Sequence, residues 1–434
     1  MKKNIIVYGL RKSLVEKLKN NFNISLWIEP NRDSSLGLEL LNKNPSLAYE
    51  LIDPQDFITL PEDLYHEMYS RYVNSISRQF SFIDGMEPLE PYFSYHLAIC
   101  SSILTKNNPD IVLFANYPHE GIDVILSCLV KFLNIQSVYL SQSLFDSGFF
   151  YASKSIDYNQ LIRSSCPYQS INKSNINLFY MNIDVRESLS KPLQFIKEIF
   201  KIYKYINLTK FANRYIKFKN QLIFLKYNKR YNNSSRFTLP EKYVYFPLHL
   251  QPEMTTSCLG KSFANQLLAI NKLRKILPDH ISIVLKENPK QNYKQRNQYF
   301  YKFINHMPNT KFAPISTLSK SLIDKSICVA TISGTAGYEA LLEQKPCIIF
   351  GSSWYEKFEG VFNANLINEF KEIQSFRFSE GHLEKDLANH SQFLHSGYVD
   401  PNYTKGHGKN LNENVDIITY KSLLELLNNL SNSF

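Results

Sequence analysis

The sequence predicts an α/β protein made of two domains, each with a mostly parallel sheet. The chain has 434 residues, which is long enough for two domains of ordinary size. Short apolar runs of strand length alternate with longer stretches in which apolar residues recur at helical spacing. This alternation is interrupted once, near residues 232–235, and then resumes. Strands that alternate with helices pair in parallel, because each helix returns the chain to the same edge of the sheet.

The first half opens with a strand, a helix and a strand. Asn4–Tyr8 is short and apolar, Lys12–Phe22 has apolar residues at helical spacing, and Ile24–Ile28 is apolar again. The pattern continues with a helix over Pro88–Leu104, a strand over Asp110–Ala115, a helix over Ile122–Leu133 and a strand over Gln136–Leu140. We therefore predict a first domain over residues 1–234.

A basic amphipathic stretch over residues 192–233 closes this half. Aromatic and aliphatic residues recur there at helical spacing, with lysines and arginines interleaved and few acidic residues. Such a segment can lie on an anionic bilayer surface. It can equally be a linker or packing helix whose basic face is only solvated.

The second half repeats the alternation, and we predict a second domain over residues 235–434. It begins with a strand over Tyr243–Pro247. The next elements are a helix over Phe263–Leu277, a strand over Ile281–Leu285, a helix over Gln295–His306, a strand over Lys311–Ile315 and a helix over Thr317–Lys325. The apolar runs Ile327–Ile332 and Cys347–Phe350 then flank a further helix, and a helix over Ile417–Leu430 closes the chain.

Composition excludes several classes of protein. The chain is 44% hydrophobic and 14% aromatic, so it can build large cores and is not disordered. Its net charge of +10 favours an anionic partner, but no zinc-finger spacing or RNA-binding signature indicates nucleic acid. The six cysteines are scattered, which is typical of small buried residues in a reducing compartment.

The sequence also lacks several familiar signatures. No zinc-ligand spacing, P-loop, nucleophile elbow or dinucleotide fingerprint is present, so we expect neither a metal ion nor an organic cofactor. The apolar run near residue 5 is too short for a signal peptide, so we do not expect one, and no apolar run is long enough to span a membrane. We expect a cytoplasmic protein, with peripheral attachment to the inner face of the cytoplasmic membrane as an open alternative.

The turn Ser333–Gly337 follows a buried-looking strand and opens a helix. Small residues there let a ligand approach the backbone, and the N–H groups of a helix start favour an anion such as a phosphate. A hydroxyl of Ser333 or Thr335 can cap the helix and contact the same group. Glu339 lies one turn further, where a carboxylate can accept from a ribose diol. The alternative is an ordinary capped turn between a strand and a helix.

Polar side chains also follow two other predicted strands of the second half. The loop after the first strand holds His249, Gln251 and Glu253, and the segment after the second holds Lys286 and Asn288. Carboxyl ends of parallel strands meet at one edge of a sheet, where α/β proteins bind ligands. The lysine suits a phosphate, although polar residues at strand ends are also common in plain surface loops.

Two strand ends of the first half carry groups suited to proton transfer or nucleophilic attack. His119 and Glu120 follow the strand over Asp110–Ala115 and could form a base and its partner. Asp146 follows the strand over Gln136–Leu140 and is the carboxylate of that segment. The alternatives are a helix cap with an exposed histidine and an Asp-Ser-Gly turn.

Three segments of the second half resemble the capsular polysaccharide synthesis family, which includes the β-Kdo transferases. They are YVYFPLHLQPEMTTS (243–257), KENPK (286–290) and TISGTAGYEALLEQKPCIIFG (331–351), joined in the first half by PHEG (118–121). The resemblance implies a GT-B glycosyltransferase, in which two Rossmann-like domains face a central cleft. The first domain would hold the acceptor and the second the nucleotide-sugar donor.

The resemblance also implies roles for individual residues. The donor-binding residues would be Ser333, Gly334, Thr335 and Glu339 at the phosphate and ribose, Lys286 and Asn288 beside the nucleotide, and His249, Gln251 and Glu253 near the sugar. The catalytic residues would be Asp146 as nucleophile of a retaining reaction, with His119 and Glu120. Related Kdo-transferases usually have histidine at the position of Asn288, and this departure weakens the assignment of a CMP-linked donor.

The reaction implied is transfer of a sugar, with Kdo from CMP-Kdo favoured, to a glycan or lipid-linked acceptor of bacterial capsule or lipopolysaccharide. Other functions remain compatible with the sequence. The chain could be a relative with another donor, namely a UDP-sugar transferase, an epimerase or a teichoic-acid-type polymerase. It could also be a non-catalytic glycan- or nucleotide-binding protein of capsule assembly.

Overall fold

The computed structural model describes residues 2–28, 52–76, 90–145, 147–153, 158, 161–164, 218–219, 222–226, 237–251, 253–291, 296, 298–400 and 413–431. The strands are β1 (Asn4–Tyr8), β2 (Asn23–Ile28), β3 (Ile111–Phe114), β4 (Gln136–Gln142), β5 (Gly148–Ala152), β6 (Tyr243–Pro247), β7 (Ser282–Lys286), β8 (Thr310–Ala313), β9 (Cys328–Thr331), β10 (Cys347–Ile349), β11 (Val361–Asn363) and β12 (His395–Ser396). The α-helices are α1 (Lys12–Leu18), α2 (Glu62–Ile76), α3 (Glu90–Asn107), α4 (Ile122–Phe132), α5 (Met254–Ser257), α6 (Gln266–Ile276), α7 (Gln298–His306), α8 (Ser319–Lys325), α9 (Thr335–Leu342), α10 (Phe370–Ser375), α11 (His382–Ser391) and α12 (Glu413–Ser431).

The chain folds into two compact units. The first takes its described residues from Met1–Ile76, Pro88–Phe179 and Glu384–Phe434, and the second from Ser77–Glu87 and Tyr180–Leu383. Each unit contains one six-stranded sheet. The predicted fold class, α/β with two Rossmann-like domains, is confirmed.

The first unit has the strand order β2-β1-β3-β4-β5-β12. The pairs from β2 to β4 are parallel, whereas β5 and β12 each run antiparallel to the neighbour before them. Apolar residues of α1 and α12 cover one face of this sheet in a single core cluster, and α2, α3 and α4 pack against one another. The order reverses between β1 and β3, as in other doubly wound folds.

The C-terminal helix belongs to this first unit, which differs from the predicted boundary. Leu423, Leu426 and Leu427 of α12 lie in the core cluster of the first sheet. The Arg11 guanidinium donates through Nε to Asp416 Oδ1 at 2.8 Å, and the side chains are only 9% and 11% exposed. The sequence assigned residues 235–434 to the second domain because α12 follows it along the chain.

The second unit is a parallel sheet throughout, in the order β8-β7-β6-β9-β10-β11. Apolar residues of α6, α7 and α10 bury one face, and those of α8 and α9 bury the other. Counted within the unit, this order is 3-2-1-4-5-6, the dinucleotide-binding arrangement of strands. The crossover direction reverses between β6 and β9.

Candidate functional site

The carboxyl ends of β6, β7 and β9 bring most of the predicted donor-binding residues to one edge of the second sheet. β6 pairs with both β7 and β9, so the segments after these strands are neighbours. His249 follows β6, Lys286 ends β7, and Ser333 to Glu339 follow β9. The crevice at a strand-order reversal is where open α/β sheets bind ligands.

The start of α9 forms the first wall of this site. Gly334 is its N-cap residue, and no side chain caps the helix. The Gly334 N–H donates to Thr331 Oγ1 at 3.2 Å, and the Thr335 hydroxyl donates to Glu339 Oε1 at 3.4 Å. An uncapped helix start keeps N–H groups and the positive end of the helix dipole available to an anion.

Ser333 is engaged differently from the prediction. Its Oγ donates to the carbonyl of Thr255 at 2.7 Å, and the residue is buried. A hydroxyl has one proton, so in this arrangement Ser333 fastens the short helix α5 to the α9 turn. Donation to a ligand phosphate would require that bond to break.

Lys286 and Glu339 form the charged part of the site. The Lys286 Nζ donates to Ser319 Oγ at 3.0 Å. Burial lowers the pKa of Lys286, and the Glu339 carboxylate acts in the opposite direction. Burial raises the pKa of Glu339, opposed by the Thr335 hydroxyl and by the Lys286 charge. A half-buried cation and a half-buried carboxylate thus lie at this edge of the sheet.

His249 is a neutral connector between the β6 loop and β9. Its Nε2 shares a hydrogen bond with Thr331 Oγ1 at 2.8 Å, and Nδ1 lies 3.5 Å from Thr255 Oγ1. Burial, together with the charge of Arg296, lowers the pKa of His249 to about 4. The ring is therefore uncharged at neutral pH and does not supply a cation to a phosphate.

A buried ion pair, not predicted from the sequence, supports the same loop. Arg296 Nε donates to Glu287 Oε2 at 2.9 Å, with side-chain exposures of 0% and 2%. Arg296 also donates to Gln251 Oε1 at 2.7 Å and to the carbonyl of His249 at 3.0 Å. Because both charges are satisfied internally, this pair holds the loop in place and does not present charge to a ligand.

Gln251 is part of that buried network. Its Oε1 also accepts from Gln266 Nε2 at 2.6 Å, and its own Nε2 donates to the carbonyl of Ala264 at 2.7 Å. The side chain is 9% exposed. The structure thus gives Gln251 a role in fixing the loop, where the sequence suggested contact with a sugar.

Asn288 and Glu253 lie on the loops beside the site. The Asn288 Oδ1 accepts from the N–H of Lys290 at 2.9 Å, which closes a turn directly after Glu287. Glu253 is the N-cap residue of α5. Its backbone carbonyl accepts from the N–H groups of Thr256 and Ser257 at 3.0 and 2.8 Å. Neither loop position is buried.

The first unit places His119 and Glu120 after β3, at the reversal of its strand order. The His119 Nδ1 lies 2.6 Å from the carbonyl of Tyr117, and Nε2 lies 3.9 Å from Glu120 Oε1. A carbonyl only accepts, so Nδ1 carries a proton, and Nε2 keeps its lone pair when the ring is neutral. This tautomer suits a general base.

Asp123, which was not predicted as a site residue from the sequence, holds this loop in place. Its carboxylate accepts from the backbone N–H groups of His119 and Glu120, each at 2.8 Å. Burial raises the pKa of Asp123. An acidic residue in the first turn of the predicted helix was the available signal.

The predicted nucleophile Asp146 lies outside the described residues, as does nearly all of the basic stretch 192–233.

In the described part of the chain, no three His, Cys, Asp or Glu side chains are grouped so that they could hold a metal ion. The described helices also include none that is both long and apolar enough to cross a membrane.

Comparison with solved structures finds similar folds at low identity. A β-Kdo 2,7 transferase, KpsC of Thermosulfurimonas dismutans, is 12% identical over 75% of this chain and 88% of its own, with a TM-score of 0.35. The KpsC β-Kdo 2,4 transferase of the same organism is 11% identical over 72% and 87%, with a TM-score of 0.33. The UDP-GlcNAc 2-epimerase of Methanocaldococcus jannaschii is 12% identical over 89% and 98%, with a TM-score of 0.26.

Comparison with protein families gives a direct assignment, although no curated protein matches the chain. Residues 156–398, more than half of the chain, match the family described as capsule polysaccharide biosynthesis protein. The match includes β6, β7, β9 and the α9 turn, which hold the three second-half segments of the sequence resemblance, whereas residues 118–121 lie outside it. The chain belongs to the capsule polysaccharide biosynthesis protein family.

Proposed function

We propose that the protein is a glycosyltransferase of bacterial surface polysaccharide synthesis that binds a nucleotide-activated sugar at the carboxyl ends of β6, β7 and β9. The observation that carries this proposal is the grouping of Lys286, Glu339 and the uncapped start of α9 at the strand-order reversal. Family membership supports the polysaccharide product, and the geometry supports the nucleotide.

Each group has a distinct part in donor binding. The N–H groups at the start of α9 face a phosphate, and Lys286 adds a positive charge whose burial strengthens its attraction to that phosphate. Glu339 accepts from the ribose hydroxyls. As the bond from the anomeric carbon to the phosphate oxygen breaks, negative charge grows on the phosphate, and these fixed donors stabilise it.

The acceptor is activated in the first unit, in this proposal by His119. Its Nε2 takes the proton of the attacking hydroxyl, and Glu120, 3.9 Å from Nε2, stabilises the imidazolium that forms. Asp123 holds the loop that carries both residues. For a retaining reaction a carboxylate nucleophile is needed as well, and Asp146 stays our prediction for that role. The acceptor is a glycan or a lipid-linked glycan.

A thermal-shift series with CMP, CDP, UDP and GDP tests the donor site. A ligand that binds only the folded protein adds about 2.7 kcal/mol of stability at a hundred times its dissociation constant. We expect a shift with CMP that is lost in Glu339→Ala. The matched control is Glu343→Ala, which removes an exposed carboxylate at the other end of α9, 3.1 Å from Lys320.

The outcomes separate the alternatives. A shift with UDP in place of CMP keeps the site and moves the enzyme to a UDP-sugar transferase or an epimerase. Those two are then distinguished by whether UDP-sugar is consumed without an acceptor. Absence of a shift with every nucleotide, in a protein that still melts cooperatively, would refute the donor site and favour a glycan-binding role.

A further inference from the structure

Helix α7 presents an aromatic and basic stripe to solvent. Tyr299, Lys302, Phe303 and His306 are spaced three and four residues apart, so they share one helix face. Tyr299 is 68% exposed and Phe303 is 45% exposed. The opposite face of α7 is buried in the core of the second unit. The exposed aromatic rings are therefore not needed to attach the helix to its own sheet.

The stripe borders an open groove between α6 and α7. The groove has a volume of about 530 Å³, and its walls include Asn271, Arg274 and the four stripe residues. The Arg274 guanidinium donates to the carbonyls of Leu277, Pro278 and Ile281. These carbonyls are uncharged acceptors that hold the guanidinium in position at the wall of the groove.

The charge on these two helices has one sign. α6 carries Lys272, Arg274 and Lys275, α7 carries Lys302, and neither helix contains an aspartate or glutamate. The acidic residue whose charge acts on Arg274 is Asp279, in the loop that follows α6. The exposed aromatic rings together with Lys275 and Lys302 complement a surface that is apolar below and anionic above.

We propose that the α6–α7 face docks on an anionic lipid bilayer. Tyr299 and Phe303 enter the headgroup region, where rings with an apolar body are stable, and Lys302 and Lys275 lie against lipid phosphates. Lys272 is not part of this face, because its Nζ donates to Asn365 Oδ1 at 2.6 Å and lies over the Phe263 ring. The charge complementarity argues for this occupant, because an uncharged apolar partner would leave these cations beside apolar surface. The attachment does not depend on the proposed donor site, which lies at the strand ends.

Vesicle flotation of the intact chain tests the proposal. The vesicles contain either phosphatidylcholine alone or equal parts of phosphatidylcholine and phosphatidylglycerol. We expect binding to the anionic vesicles that falls as salt shortens the range of the attraction. Lys302→Gln should weaken binding about fivefold, the effect of one charge near an anionic surface. Tyr299→Ser combined with Phe303→Ser should weaken it about tenfold or more, from lost apolar contact.

Matched controls separate this face from general charge and hydrophobicity. Lys325→Gln removes an exposed lysine from α8, and Phe57→Ser removes an exposed ring from the first unit. Both should bind vesicles as the unaltered protein does. All variants change exposed side chains, and a thermal melt confirms that each is folded.

Three results would overturn the proposal. The first is a folded chain that does not float with anionic vesicles. The second is equal loss of binding in the α7 variants and in the controls. The third is retention on heparin without vesicle binding, which would assign the face to a soluble polyanion.

Discussion

Gly334 is packed so closely against His249 that a single added methyl group should be measurable. A Cβ at residue 334 would lie 2.8 Å from His249 Cε1, 3.0 Å from its Nε2 and 3.0 Å from Thr331 Oγ1. Gly334 has φ −80° and ψ 160°, a conformation open to any residue. The cost of Gly334→Ala therefore comes from the contact and not from the backbone.

The size of the effect follows from two terms. Overpacking a well-packed site costs about 1–3 kcal/mol. Alanine is also a poorer N-cap residue than glycine, by roughly 0.5–1 kcal/mol. In a His249→Ala background the ring is absent, and only the capping term and the approach to Thr331 Oγ1 remain. We expect a coupling free energy of about 1–3 kcal/mol between the two substitutions, the part that the ring contact contributes.

Denaturant unfolding followed by tryptophan fluorescence measures this coupling in the second compact unit, which contains Gly334. The chain has two tryptophans, Trp27 in the first unit and Trp354 in the second. The Trp354 ring lies 4.8 Å from that of Tyr338 on α9, so it reports on the helix that Gly334 begins. A Trp27→Phe background removes the signal of the first unit. Equal destabilisation by Gly334→Ala with and without His249 would refute the argument.

Three further substitutions test the buried charges. Glu287→Gln leaves Arg296 buried without its carboxylate and should destabilise the second unit by about 3–5 kcal/mol in the same assay, whereas replacing both residues by leucine should cost less than that. Glu339→Gln should stabilise the protein at neutral pH. Burial raises the pKa of Glu339 in the folded protein, so the protonated side chain favours folding in acid. That contribution is lost as the pH rises through the raised pKa, whereas glutamine stays uncharged. Thermal melts over that range should show the difference vanish below the ordinary carboxyl pKa, and a constant difference would contradict it. Asp416→Ala should destabilise the first unit, followed by its own tryptophan, because it leaves Arg11 buried and unpaired; an unchanged midpoint would count against that pair.

Strands and helices of the parallel part could be predicted from local pattern, because burial on both faces leaves an uninterrupted apolar run. The bounds predicted for β1 and β6 agree with those observed. The antiparallel β5 was missed, because residues 148–152 follow a polar segment that was predicted to be part of the candidate site. Ser147, directly before β5, has φ 59°, a conformation that residues other than glycine rarely adopt.

Long-range pairing could not be predicted from spacing. α12 was predicted as a helix, but its amphipathic pattern does not say which unit it covers. The ion pair between Arg11 and Asp416 joins α12 to the first unit, and these two residues lie at opposite ends of the chain. The same limit applies to Glu287 and Arg296, since a charged residue in a loop gives no sign that it will be buried.

In the candidate site too, local sequence pattern predicts where residues lie along the chain but not how far they are buried. The sequence places Lys286 at the end of one strand and Glu339 one turn into the helix that follows another. Only the structure shows that burial lowers the pKa of Lys286 and raises the pKa of Glu339. Their mutual attraction opposes both shifts. A structural ion pair would be expected to close completely, as Arg296 and Glu287 do at 2.9 Å. Lys286 instead donates to the uncharged hydroxyl of Ser319. Two half-buried charged groups, each hydrogen-bonded to an uncharged hydroxyl beside an uncapped helix start, therefore fit our proposal of a ligand site, in which a phosphate and a diol would be their charged and polar partners.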